Sequence, residues 1–209
     1  MKIGIISANG KVGRLVVDEA IKRNFDVTAI VRGENKTAAQ KEIVKGIFDL
    51  TLEDLKEFDV VVDAFGVWAA EDLEQHVTSL NHVSDILSGT NIRLLVVGGA
   101  GTLYVDEAQS IKVVDTPDCP EMFKPLVNAM GKGLENLRKR NDVKWTYISP
   151  ACAFRVDREA TGEYLIGGES VILNSNGESI IGYADYVLAL VDEAEKGQNI
   201  QKRISVVEK

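Results

Sequence analysis

Residues 2–22 read Lys-Ile-Gly-Ile-Ile-Ser-Ala-Asn-Gly-Lys-Val-Gly-Arg-Leu-Val-Val-Asp-Glu-Ala-Ile-Lys. A short apolar run, Lys2 to Ile6, gives way at Ser7-Ala8-Asn9-Gly10-Lys11-Val12-Gly13 to a stretch of helical period, Val12 to Lys22. The same order recurs downstream. Strand-like runs fall at Val27 to Val31, Val60 to Phe65, Leu94 to Val97 and Trp145 to Ile148, with helical patterns at Glu71 to Leu87 and Leu126 to Lys139. Strands separated by helices need crossover connections, so the chain is predicted to form a doubly wound parallel sheet, an α/β fold. Asp59-Val60-Val61-Val62-Asp63-Ala64-Phe65 and Arg93-Leu94-Leu95-Val96-Val97-Gly98 are almost continuously apolar, as strands buried on both faces require. Ile43 to Phe48 reads as a weaker third strand, followed by a capping-box helix start at Thr51-Leu52-Glu53-Asp54.

After Pro150 the pattern changes to a small carboxyl-terminal substrate lobe, roughly 151–182 within a single 1–209 domain. It holds hairpin-like segments at Glu163 to Ile166 and Ser170 to Leu173, with Asn174 to Gly177 as turn material. A last helix, Tyr183 to Lys196, should stop at Gly197, and Arg203 to Val207 is expected as a final edge strand. Thr102 to Pro125 has no periodic element. A loop of that length is functional or mobile, and this one is placed to fold over the carboxyl ends of the strands.

The chain has 209 residues, 45% hydrophobic and 27% charged, enough to bury one core. Its net charge of -8 argues against nucleic acid as a partner. Two cysteines, Cys119 and Cys152, indicate a reducing cytoplasm, and no segment approaches the ~20 apolar residues of a membrane span. Two histidines and two distant cysteines offer no metal-ligand spacing.

The opening turn has the form of a dinucleotide fingerprint, which needs glycine for a sharp turn, for close approach of backbone to pyrophosphate, and for packing of helix on strand. Gly10 and Gly13 meet the second and third needs, whereas Ser7 stands at the first and is expected to keep a negative φ. Backbone N–H groups from Asn9 through Gly10, Lys11 and Val12 to Gly13 would face a phosphate from the start of a helix, where the dipole favours an anion. About 20 residues on, where an acid would hold the ribose of NAD, the chain has Arg32. A guanidinium there can grip a 2′-phosphate, with Lys36 nearby, which favours NADP(H) over NAD(H). The other readings are a solvated surface arginine and a ribose held by Glu34. Asp49-Leu50 is placed to hold and cover an adenine. Ala64-Phe65-Gly66 and Val97-Gly98-Gly99-Ala100-Gly101 put small residues at later strand ends, where they leave room for an extended dinucleotide.

These segments, together with Trp145-Thr146-Tyr147-Ile148-Ser149-Pro150, Thr161-Gly162-Glu163-Tyr164 and Ile181 to Lys196, resemble the bacterial NADH-flavin reductase family across essentially the whole chain. That family belongs to the atypical short-chain dehydrogenase/reductases and is similar to the flavin/biliverdin reductase and nitrogen-metabolite-repressor-like groups. The resemblance implies an NAD(P)-binding Rossmann core and a bound NADP(H). It adds Pro150 to the cofactor residues, and the departure from it is Ser7.

The Tyr-x-x-x-Lys pair of ordinary short-chain dehydrogenases, in which lysine lowers the tyrosine pKa, is missing: the matching helix reads Asn128-Ala129-Met130-Gly131-Lys132. Lys132 is therefore expected as a solvated helix residue, and no catalytic side chain is assigned. Hydride transfer to a flavin needs only that two rings be stacked and oriented, with Trp68, Phe123 and Phe154 as candidate walls. The reading is an oxidoreductase passing hydride from NADPH to a flavin or quinone-like small-molecule acceptor. The alternative is a non-catalytic NADP(H)-binding redox sensor. A homodimer is left open. His76 falls on an apolar stripe with Leu80, Val83 and Leu87 and is expected to be an inward, hydrogen-bonded residue.

Overall fold

The computed structural model describes residues 1–209. Ten strands form: β1 (Lys2–Ile6), β2 (Asp26–Val31), β3 (Lys41–Val44), β4 (Val60–Asp63), β5 (Arg93–Val97), β6 (Lys144–Pro150), β7 (Ala153–Arg155), β8 (Tyr164–Gly167), β9 (Ile180–Gly182) and β10 (Lys202–Glu208). Eight of them make one sheet in the order β3-β2-β1-β4-β5-β6-β10-β8, parallel except for the antiparallel β8. The five helices are α1 (Lys11–Lys22), α2 (Leu52–Leu55), α3 (Gln75–Ile86), α4 (Lys124–Leu137) and α5 (Tyr183–Lys196). Helices α1 and α5 pack together on one face, and α3 and α4 on the other.

Alternate side chains of each strand feed these two layers, as the two-residue period dictates. Ile3 and Ile5 join Val16, Val17 and Leu190 in one core, while Ile6 joins Val96, Leu80 and Leu134 in the other. Strand order reverses between β1 and β4, so the segments leaving those two strands diverge and open a crevice at the carboxyl edge.

The ends of the elements follow local chemistry. Thr51 and Asp54 close a capping box over α2, and α5 stops at Gly197, whose φ of 62° is the left-handed conformation that ends helices. Between β5 and α4 the chain makes only single helical turns at Val113–Asp115 and Glu121–Phe123. No helix is long and apolar enough to cross a membrane.

Three expectations are corrected. β10 is not an edge strand, because β8 pairs along its outer side from Tyr164↔Glu208 to Gly167↔Ser205. The proposed hairpin of 163–166 with 170–173 therefore does not form; β8 joins the large sheet instead. Residues 169–171 pair with the long loop through Tyr104 N–H to Glu169 O (3.0 Å) and Val171 N–H to Tyr104 O (2.8 Å). The third strand is Lys41–Val44, and Ile47–Asp49 is a helical turn closed by Asp49 N–H to Gly46 O at 3.0 Å.

Candidate functional site

The turn after β1 is closed by Gly10 N–H donating to Ser7 O at 2.8 Å. That geometry puts Ser7 at φ 59°, so the expected negative φ is wrong. The reversal needs a left-handed residue, and serine occupies that conformation at a cost of about 1 kcal/mol. Ser7→Gly is expected to raise the thermal midpoint by about 2 °C, read by differential scanning calorimetry, because strain relief exceeds the added chain entropy.

A Cβ on Gly13 would lie 2.5 Å from Ser7 O and 2.9 Å from Ala8 Cα, so only glycine lets α1 start this close to the strand. The N–H groups of Asn9, Lys11, Val12 and Gly13 have no acceptor within the chain. They gather at the amino end of a 12-residue helix, a favourable place for an anion. Gly10, expected to be a further donor, is not free, because its N–H closes the turn.

Electrostatics point the same way. Most of the 24 lysines and arginines are paired with a carboxylate, but Lys11, Arg14, Arg32 and Lys36 are not. Lys11 and Arg14 lie in the first turn of α1, Arg32 and Lys36 in the segment leaving β2, and all four are exposed. Asn9 ties the two segments together, its Nδ2 donating to Glu34 O and its Oδ1 accepting from Lys36 N–H, both at 2.8 Å. The other unpaired cations, Lys139, Lys144 and Lys202, lie at the opposite, amino edge of the sheet, near the starts of β6 and β10.

Further along the edge the expectations divide. Asp49 is exposed, but Leu50 is 2% exposed, held in the core beside Ile6 and Ile30, and its carbonyl faces His82 Nε2 at 3.2 Å. Leu50 therefore cannot cover a ligand with its side chain. The accessible apolar group there is Phe48, 46% exposed. Ala64 and Phe65 are half-buried, Phe65 meeting His76 edge-on, and a Cβ on Gly66 would meet nothing within 4 Å.

The glycines after Val97 serve the protein's own packing and do not leave an empty channel. The Tyr147 ring fills the side-chain space of Gly98, Met130 lies 3.2 Å from that of Gly99, and Val127 closes on Gly101. Tyr186 donates its hydroxyl to Ile148 O at 2.7 Å, the same carbonyl that accepts Gly98 N–H at 2.9 Å. Val97 pairs with Ile148, and Pro150 is buried at the end of β6.

His76 is the inward residue expected: its Nε2 lies 3.0 Å from Val67 O, and burial lowers its pKa. Lys132 is tied to Glu74 at 2.9 Å on an exposed face. Phe154 stacks on Tyr183 at 4.0 Å and is packed against α5, so it is not a free wall. Trp68 (76% exposed), Met122 (79%) and Phe123 (41%) remain accessible. They precede α3 and α4, whose amino ends rise at the same edge as the strands' carboxyl ends.

The sequence reading did not single out Asp63, an acid within an apolar strand. It lies in register with Val96 and, one strand further, Tyr147, so the three side chains share a face. Its carboxylate accepts Phe65 N–H at 3.0 Å, and burial pushes its pKa up to about 6; burial also pushes Tyr147 up to about 12. A carboxyl whose folded pKa is raised favours folding fully below its unfolded pKa and loses that contribution as pH rises through about 6. Asp63→Asn, which keeps the acceptor for Phe65, should therefore stabilise the protein by about 2 kcal/mol at pH 8 and by nothing at pH 4, as measured by urea unfolding at both pH values.

A family model described as NAD(P)H-binding matches residues 7–194, from the strained serine to the last turn of α5. The chain belongs to this NAD(P)H-binding family. Within reach of it, YwnB of Bacillus subtilis is 42% identical over 210 residues, covering 99% of this chain and 98% of YwnB. A Streptococcus pneumoniae crystal structure described as "a putative NADH-flavin reductase" is 49% identical, with a TM-score of 0.97 and full coverage of both chains. A short-chain dehydrogenase/reductase superfamily protein from Agrobacterium tumefaciens with bound NAD shares the fold alone, at 17% identity and a TM-score of 0.70, covering 99% of this chain and 77% of that one. The family model opens at Ser7, so the turn built on that residue is included in the match.

Proposed function

We propose that the protein is an NADPH-dependent oxidoreductase that delivers hydride to a flavin or a similar flat, conjugated acceptor. The carrying observation is the cluster of unpaired cations, Lys11, Arg14, Arg32 and Lys36, around four free backbone N–H groups at the start of α1. In a chain of net charge -8, so local a surplus of positive charge fits a ligand with phosphates at two places. The N–H groups of Asn9, Lys11, Val12 and Gly13 would hold the bridging phosphates, and Arg32 with Lys36 the 2′-phosphate. Phe48 and Asp49 stand where the adenine would lie, and Gly66 leaves open backbone on the way to β5.

The bound nicotinamide would supply the hydride. The chain's own contribution is to orient two rings and exclude water from between them. Trp68, Met122 and Phe123 offer the apolar surface on which a planar acceptor would stack. Lys132 has Asn128 and not a tyrosine four residues before it, and its ammonium is held by Glu74, which supports a reaction that needs no alkoxide proton donor. The similar Streptococcus pneumoniae protein, with its flavin reductase description, supports the same choice of acceptor.

The test is NADPH oxidation followed at 340 nm with FMN, riboflavin and a quinone as acceptors. Rates well above the protein-free background for at least one acceptor are expected. Tight NADPH binding with only background rates would replace the enzyme by a redox sensor.

A further inference from the structure

We propose that Asn9 sets the preference for a 2′-phosphorylated coenzyme, by latching the segment that carries Arg32 and Lys36 to the phosphate turn. The inference rests on the NADPH reading above and names the residue that makes it selective. Both polar atoms of the Asn9 side chain are used across 25–27 residues of sequence: Nδ2 donates to Glu34 O and Oδ1 accepts from Lys36 N–H. A side chain engaged in this way is no phosphate ligand itself.

Inside the segment, Asn35 supplies the bracing. It donates to Ala39 O at 2.9 Å and accepts from the N–H (2.9 Å) and hydroxyl (2.7 Å) of Thr37. These bonds fix the shape of the loop but not its distance from α1. The pairing of β1 with β2, continued by Ala8 N–H on Ile30 O at 3.4 Å, ends before Arg32, and no other side chain bonds residues 32–36 to the β1–α1 turn, so beyond the strand ends Asn9 joins the two loops. Asn9 is in turn held by Arg14, whose Nε donates to Asn9 O at 3.0 Å. A dinucleotide with a 2′-phosphate must meet both loops at once, whereas one without it needs only the turn. Rigidity between the loops therefore acts on one coenzyme and not on the other.

The experiment measures dissociation constants of the full chain for NADPH, NADH, 2′,5′-ADP and 5′-AMP by fluorescence and calorimetric titration. Asn9→Ala is expected to weaken NADPH and 2′,5′-ADP by roughly tenfold, the usual worth of one or two hydrogen bonds, and to leave NADH and 5′-AMP within about twofold. In an Arg32→Ala, Lys36→Ala background the same change should cost NADPH almost nothing more, since the latch then has no cations to place. An unchanged NADPH-to-NADH ratio in Asn9→Ala, or equal weakening of all four ligands, overturns the proposal. Should Asn9→Ala fail to fold, Asn9→Thr, which puts a single, shorter hydroxyl in place of the two-ended amide, is judged by the same ratio. Wild-type protein that binds NADH as tightly as NADPH would instead sink the cofactor reading itself, a result separate from any effect of Asn9.

Discussion

Arg32→Asp is expected to weaken NADPH about 100-fold while leaving NADH within about threefold, because it removes a charge-assisted bond and adds repulsion at one point of the ligand. Arg32 has no carboxylate partner and is exposed, so the substitution frees no buried acid and leaves the fold intact. The contrast between the two coenzymes is the informative quantity: equal loss would mean that Arg32 acts on something other than a 2′-phosphate. Raising the salt concentration should shrink the difference, since both loops are open to solvent. Fluorescence titration of both coenzymes at low and high salt measures both effects.

Gly13→Val should abolish binding of NADPH and NADH together, by more than about 100-fold, and cost about 3 kcal/mol of stability. The added Cβ would sit 2.5 Å from Ser7 O and 2.9 Å from Ala8 Cα, both backbone atoms of a turn that already holds a left-handed serine. Neither atom can swing aside as a side chain could, so α1 must move away from β1 and its free N–H groups must lose their common aim. Gly168→Ala, after β8 at the far edge of the sheet, is the control: a Cβ there meets nothing within 4 Å, and binding and midpoint should hold. Urea unfolding and coenzyme titration of the two variants, side by side, separate a general intolerance of substitution from the close approach at Gly13.

Arg32 was visible in the chain because its position follows from counting: a strand, a turn, a helix and a second strand bring the residue about 20 places on to the same edge as the turn. Gly13 was visible for a related reason, since only a helix pressed against a strand end needs the missing Cβ. Ser7 stands out in the chain as the departure from the glycine pattern, but its φ is left-handed and not negative. Local preference argues against a left-handed serine, and the closed turn with Gly10 N–H on Ser7 O overrides it.

Leu50, the glycines at 98–101 and the hairpin after Pro150 went astray through contacts between distant parts of the chain. Leu50 faces Ile6 and Ile30 because the helical turn at Ile47–Asp49 rotates it inward. Gly98 and Gly99 are small because Tyr147 and Met130, about 50 and 30 residues later, occupy their side-chain space. β8 left its neighbour for β10 because completing a row of backbone hydrogen bonds on the large sheet outweighs a short local pairing.

What the amino-acid sequence determined by itself was the alternation of strand and helix, the crossover topology, the glycine-edged turn and the cation after β2. All of these are set by periodicity and by residue types acting within a few positions of themselves. Tertiary structure alone decided which polar groups remain free. Whether an asparagine amide or a lysine ammonium is spent can depend on partners 25 or more residues away, as Asn9 with Lys36 and Lys132 with Glu74 show. A binding site is the set of groups that folding leaves unpaired, and that set exists only once every other pairing has been made.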